Sequence, residues 1–244
     1  VAASEPTTLK LDVAAEMATA LVVPEIGDAV TVQLDGNAFE WPALDVPGAY
    51  RVEWRAAGSD DAAAACSVEA VSRHYFALAD LKGYGDGRDE FDKLADEVLW
   101  DARQAATDVF EEAACRSFVP RLGRTRDFGG ANLLAVHHDV QRVITVGYAQ
   151  VSDSYLERKC RPGTLPTWVR YVYGLDSPPA AVSRAVLDLA AYMLRPANRP
   201  IGATGESTDA GYIHFTTAGR DGATAIPEVN AAIQQYGAGE RYIW

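Results

Sequence analysis

Cysteine is scarce and unpaired in this sequence: Cys66, Cys115 and Cys160 lie far apart, odd in number and without a CxxC among them. That spacing argues against a disulfide framework and against a clustered zinc site, and it fits synthesis in a reducing cytoplasm. Long apolar runs are missing too. The longest mainly apolar stretch, Ala180–Leu194, carries Arg184 and Asp188 and is too short to span a bilayer. Val1–Lys10 has no basic stretch leading into an apolar one, so no secretory signal is visible there. Positive charge is in deficit. Against 34 acidic residues stand 22 basic ones, and the net charge of −12 argues against broad duplex binding, which needs cations to replace counterions.

Catalytic signatures are equally sparse. No GxSxG elbow, Walker phosphate loop or HExxH pair occurs. His137-His138-Asp139 is the one dense cluster of metal-ligand types, but neighbouring residues on a strand face opposite ways and do not share an ion easily. Asp89, Glu90, Asp92, Asp96, Glu97 and Asp101 fall on the solvent side of a helical pattern, whereas acid–base work needs two groups converging in a cleft. Arg124 and Arg126 sit near glycines in Gly123–Gly130, without the Lys-Ser/Thr ending of a phosphate loop, and read as an interface loop. No catalytic residue, cofactor or metal is expected.

What is present is a globular composition, 48% hydrophobic and 23% charged. Residues 1–75 read as β-rich. Leu9, Leu11 and Val13 alternate, as do Val30, Val32 and Leu34, and again Tyr50, Val52 and Trp54, with turn residues at Asp35-Gly36, Pro47-Gly48 and Gly58–Asp61 between them. Trp41 and Trp54 suit the core of a small sandwich better than a sugar-stacking platform. Asp60–Ala65 reads as a loop.

From Asp89 the period changes. Phe91, Leu94, Val98, Ala102, Ala105, Val109 and Ala113 form an amphipathic stripe with Asp86 as N-cap and Pro120 as the stop. Such a helix runs about 30 residues, or roughly 45 Å. Short β-type runs follow at Leu133–Val136, Val140–Val146 and Trp168–Tyr173. A second helix is predicted with Ser177 as cap, Pro178 in its first turn, and Val182, Ala185, Val186, Leu189, Ala190 and Met193 on one face. A last helix starts near Pro227, buries Val229, Ile233 and Tyr236, and ends at Gly237.

Between these helices, Gly202–Ala225 is polar and Gly-rich, with apolar residues gathered only around Tyr212-Ile213-His214-Phe215. A long aperiodic stretch of this kind is expected to be functional, as a hairpin or arm that pairs with a neighbouring chain. The fold class expected is α+β: a β-sandwich-like domain (1–75), then a mainly helical domain (76–244) with short strands and an extended C-terminal arm.

Ordered segments add a resemblance. "SRHYFALADL" (Ser72–Leu81), "EEAACRSFVPR" (Glu111–Arg121), "VQRVITV" (Val140–Val146), "VRYVYGLDSPPAAVSRAVLDLAAYML" (Val169–Leu194) and "GRDGATAIPEVNAAIQQYG" (Gly219–Gly237) occur in sequence. Together they resemble the head-to-tail adaptor, or connector, proteins of long-tailed bacteriophages, particularly those of actinobacterial phages. The resemblance implies a non-enzymatic structural subunit of the virion neck, assembled in the host cytoplasm. It implies a homo-oligomeric ring of about twelve copies, docked on the portal protein and on a head-tail stopper or tail completion protein. Genomic double-stranded DNA passes through such a ring without specific binding, and neither membrane nor cofactor is involved.

On that resemblance, Gly202, Tyr212, Phe215, Arg220, Tyr236, Tyr242 and Trp244 are candidates for the portal or neighbour interface, and Arg124 and Arg126 for a loop interface. Two other readings compete: a wall-directed enzyme with a carbohydrate-binding β-module, and a β-sandwich tail or adhesion protein.

Overall fold

A computed structural model of the chain describes residues 8–10, 17–24, 28–41, 48–71, 73–85, 91–159, 167–195, 205–208, 211–214 and 222–238. Strands pair antiparallel throughout these residues and four helices accompany them, so the class is α+β. The chain forms two compact units, each built from two stretches. One comprises Val1–His74 and Val119–Asp176, the other Tyr75–Phe118 and Ser177–Trp244. The β-rich stretch after the first long helix thus clusters with the front strands, although it is contiguous with helices on both sides.

The first unit opens with β1 (Thr8–Lys10), β2 (Thr19–Pro24), β3 (Val30–Gln33), β4 (Ala38–Glu40), β5 (Gly48–Arg55) and β6 (Ala64–Ala70). Four of these make a sheet in the order β3-β2-β5-β6, and β1 pairs with β4. The alternation of β5 is the reason it forms: Tyr50, Val52 and Trp54 are buried while Ala49 and Arg51 face out. Ala20 and Val22 of β2 stand opposite Trp54 and Val52 on the buried side. Trp41 meets Tyr50 edge-on at 5.5 Å and Phe39 meets Trp54 at 6.2 Å, so both tryptophans belong to the core. Gly36, at φ +62°, turns the chain between β3 and β4 where a side chain would be strained. The loop expected over Asp60–Ala65 is shorter than that, because β6 already begins at Ala64. Leu11 and Val13 lie outside the described residues.

Six more strands complete this unit: β7 (Arg121–Asp127), β8 (Leu133–Ala135), β9 (Val140–Val143), β10 (Tyr148–Ser152), β11 (Tyr155–Arg158) and β12 (Thr167–Tyr173). They make two three-stranded sheets, β7-β12-β9 and β10-β11-β8, with a shared core of Val140, Leu156, Val169 and Tyr171. The loop expected over Gly123–Gly130 is therefore mostly strand. Its inward positions are Arg121, Gly123, Thr125 and Asp127, none of them a typical apolar core residue, so period-two patterning is invisible there. Gly123 is required by packing: a Cβ at that position would lie 2.6 Å from Cζ of the buried Tyr171 ring.

The second unit contains α1 (Leu78–Lys82), α2 (Asp96–Ala114), α3 (Ala180–Leu194), the paired strands β13 (Gly205–Thr208) and β14 (Gly211–His214), and α4 (Pro227–Tyr236). α2 has 19 residues, shorter than the expected helix. Phe91 is buried, but residues 91–94 form turns, and the expected cap Asp86 lies outside the described residues. Buried Phe91 keeps the apolar period running upstream of the helix itself. At the other end the helix stops at Ala114, well before Pro120, because Cys115 takes the left-handed conformation at φ 52°.

α3 begins at Ala180, with Pro179 rather than Ser177 at the cap position; two consecutive prolines delay the first helical turn. Its face of Val182, Ala185, Val186, Leu189 and Ala190 is buried, but Met193 is 39% exposed. α4 has Pro227 in its first turn, buries Val229 and Ala232, and ends at Gly237; Ile233 and Tyr236 are half-buried. α2, α3 and α4 pack pairwise on one another. Buried small residues (Ala102, Ala106 and Ala114 on α2, Ala185, Ala190 and Ala191 on α3) leave room for helix backbones to approach closely. Among the described residues, no helix is long and apolar enough to cross a membrane.

Candidate interface surfaces

Two clusters of buried polar groups are satisfied internally. Asp127 accepts from Arg158 Nε at 2.8 Å, from the Arg158 Nη2, from Tyr148 Oη at 2.6 Å and from the Gly129 N–H at 2.8 Å. Burial alone would raise the Asp127 pKa, but the Arg158, Tyr148 and Gly129 donors outweigh it and hold the carboxyl below its ordinary 3.8. Burial and the bond to Asp127 together raise the Tyr148 phenol. Tyr171 Oη lies 2.8 Å from Thr125 Oγ1 and 2.6 Å from His137 Nδ1, and the His137 ring stacks on Tyr173 at 4.1 Å. His137 is thus engaged with the Tyr171 hydroxyl and the Tyr173 ring. No group of three metal-ligating side chains occurs among the described residues.

In the second unit, Tyr75 Oη donates to Glu111 Oε1 at 2.6 Å and accepts the Phe118 N–H at 2.9 Å. Ser117 Oγ donates to the same Glu111 oxygen at 2.8 Å. This cluster closes the turn after α2. Burial, with the neighbouring Glu111 charge, pushes the Tyr75 phenol far up, so it stays a neutral donor.

The surfaces carry more distinctive chemistry. On β7, Arg124 and Arg126 face outward beside Trp168 and Arg170 of β12, since Trp168 pairs with Arg126 and Arg170 with Arg124. The Arg124 guanidinium lies 4.6 Å from the Trp168 ring centroid, and that of Arg126 lies 5.3 Å from Phe128 and 5.7 Å from Trp168. Trp168 is 44% and Phe128 74% exposed. Exposed Arg142 of β9 registers on the same face, opposite Val172. In a chain of net charge −12, this is a concentration of cations with aromatic platforms. The sheet presents the two predicted arginines side by side, which a loop would not do.

Further exposed apolar residues, Leu133, Val146, Val151 and Tyr155, come from the same stretch between α2 and α3. Sequence reasoning missed these and Trp168, because each lies in a β-type run where one large side chain in two is expected inside. α2 offers the opposite charge: Glu97, Asp101, Asp108 and Glu112 are exposed, and Arg103, its one basic residue, is buried with Nη1 directed at the Phe76 carbonyl at 3.4 Å.

Of the predicted C-terminal interface residues, Tyr212 is on β14, opposite Ser207 of β13. Tyr236 is half-buried at the end of α4, where its carbonyl accepts from Arg116 Nη1 at 3.3 Å. The Ala238 N–H donates to the Ala114 carbonyl at 2.9 Å, so α4 is anchored to α2 at both groups. Gly202, Phe215, Arg220, Tyr242 and Trp244 lie outside the described residues.

No family model and no curated protein matches the chain. Two solved structures contain a partly similar chain. One is described as the neck of an empty gene transfer agent (GTA) particle computed with C6 symmetry: 15% identity, TM-score 0.42, covering 53% of this chain and 82% of that one. The other is the virion of a native GTA particle: 17% identity, TM-score 0.37, covering 52% and 82%.

Proposed function

We propose that this chain is a non-enzymatic structural subunit of a tailed-phage neck, a protomer of an adaptor ring between the portal and the tail stopper or completion protein. The observation that carries the reading is the fate of the family-like segments. "SRHYFALADL", "EEAACRSFVPR", the helical half of "VRYVYGLDSPPAAVSRAVLDLAAYML" and "IPEVNAAIQQYG" are far apart in the chain, yet they form or flank α1, α2, α3 and α4, helices of one compact unit, whereas "VQRVITV" and the strand half of the longest segment belong to the other unit. Such an ordered set is what a shared helical body requires. The burial of Trp41 and Trp54 in a core removes the platforms that a wall-directed enzyme's sugar module would use.

In this reading the subunit assembles in the host cytoplasm, closes a ring of about twelve copies, and lets genomic DNA pass. At −12 per copy the ring is strongly acidic, and acidic groups at the bore keep DNA from adhering during packaging and ejection. Disrupting the gene in its phage and supplying it in trans tests the assignment. Filled heads without tails on disruption, with tailed particles restored by the supplied gene, is the expected result. Tailed, infectious particles without the protein would refute it.

A further inference from the structure

We propose that the β13–β14 hairpin of one copy extends the β3-β2-β5-β6 sheet of a neighbouring copy, with β14 pairing along the open edge of β3, an inference that rests on the ring reading above. The hairpin is a two-stranded sheet: Gly205 pairs with His214, Glu206 with Ile213, Ser207 with Tyr212 and Thr208 with Gly211. Among the described residues no third strand joins it. A hairpin by itself is marginal in water and gains stability by adding to a larger sheet. Every second residue of β14 turns its N–H and C=O away from β13, and that outer edge is a template for pairing.

β3 is the complementary edge. It ends the four-stranded sheet, with β2 as its one neighbour among the described strands. The Leu34 N–H donates to the Ala18 carbonyl, which fixes the phase of the ladder. Val30 and Val32 therefore direct their backbone groups to β2, and Thr31 and Gln33 direct theirs to the open side. Both outward residues are exposed.

Sheets guard an edge with charge, a bulge or brevity. β1 and β4 carry Lys10 and Glu40, β6 carries Glu69, and β7 and β9 carry Arg121 and Arg142. β10 is bulged between Gln150 and Ser152, and β8 has three residues. β3, Val-Thr-Val-Gln, has neither charge nor bulge and is rich in β-branched residues that favour strands. β14, Gly-Tyr-Ile-His, is equally free of carboxylates, lysine and arginine, so two four-residue strands meet without repulsion in a chain of net charge −12. Within one copy the hairpin and the β3 sheet are separate sheets, so the strand that completes the edge comes from a second copy. Each copy then gives one hairpin and receives another, a head-to-tail contact that closes a ring when repeated around an axis.

Sedimentation velocity of the full chain over a concentration series, with amide hydrogen exchange read on β3, tests the pairing. The wild type forms oligomers in which the Thr31 and Gln33 amides exchange about tenfold or more slower than in the dilute chain. Two variants each remove one side. T31P deletes an outward N–H and sets a ring on the open edge, leaving the ladder to β2 intact. Deletion of residues 205–214 removes the hairpin. Circular dichroism verifies that both fold, and each alone associates about tenfold or more weakly than the wild type. Mixed in equal amounts they form dimers and nothing larger, because one keeps only a working hairpin and the other only a working edge.

A wild type that stays monomeric, or that associates with β3 exchange unchanged, overturns the proposal. Wild-type oligomers in either variant overturn it too, as does a mixture that stays monomeric. If the deletion keeps the chain out of the particle and T31P does not, the hairpin docks on a different protein and the pairing with β3 is wrong. The ring reading is judged separately, by the position of the chain in the virion, since a neck ring can close through other faces.

Discussion

Arg158 reaches across the core between two three-stranded sheets to Asp127, with its Nε 2.8 Å from the carboxylate and both side chains buried. Two charges out of water persist only when each is well paired, and here Tyr148 and the Gly129 N–H supply the remaining bonds. Asp127→Asn leaves the guanidinium buried without its anion. The variant is expected to melt several degrees lower at neutral pH, and an unchanged melting temperature contradicts the structural role given to the pair.

The same pair sets an acid limb. Because the folded-state pKa of Asp127 lies below 3.8, its contribution to stability is complete above that value and is lost as pH falls through the depressed folded pKa. Melting temperatures of wild type and Asp127→Asn therefore converge as the pH is lowered below the ordinary carboxylate range. A constant gap between the two down to the lowest pH at which both fold would show that the charge is not the origin of the difference.

Tyr75→Phe removes the hydroxyl that serves both Glu111 and the Phe118 N–H. A buried N–H then lacks its acceptor, at a cost of roughly 1–3 kcal/mol. Urea denaturation checks this: the midpoint falls with the slope unchanged.

Gly123→Ala places a methyl group into the Tyr171 ring, which cannot retreat because its hydroxyl is held by Thr125 and His137. Overpacking of this kind costs about 1–3 kcal/mol. Equilibrium unfolding of G123A beside the wild type reads the difference, and equal stability would mean that the ring is free to shift.

Removal of residues 205–214, the β13–β14 hairpin, separates assembly from folding. The helices α2, α3 and α4 keep their mutual contacts, so the variant is expected to stay helical by circular dichroism and to fail to join the neck in complementation. Truncation at Gly202 is the weaker test, because it also removes α4, whose Val229 and Ala232 are buried in the helical unit.

Legibility followed the visibility of the period. Tyr50, Val52 and Trp54 announce β5 by alternation, and Val182 to Ala190 announce α3, because one face of each is apolar. β7 was hidden: its inward residues are Arg121, Gly123, Thr125 and Asp127, whose partners are a tyrosine ring and a distant arginine. β2 is equally hidden, since Ala20, Leu21, Val22 and Val23 form a short continuous apolar run with no period to read. The apolar spacing continues through Phe91, which is buried from a turn, so it extends the predicted α2 upstream of the helix itself. Arg124 and Arg126 were legible as candidates, but their placement beside Trp168 is a matter of strand register across many residues, which no local pattern carries.

The proposed function puts this chain in the neck. Cryo-electron microscopy of the intact phage, with the chain's fold fitted to the density between portal and tail, tests it most directly. A closed ring of this fold around the DNA channel is the predicted result. Density for the chain at the tail tip or on the capsid exterior, or its absence from the particle, contradicts the account.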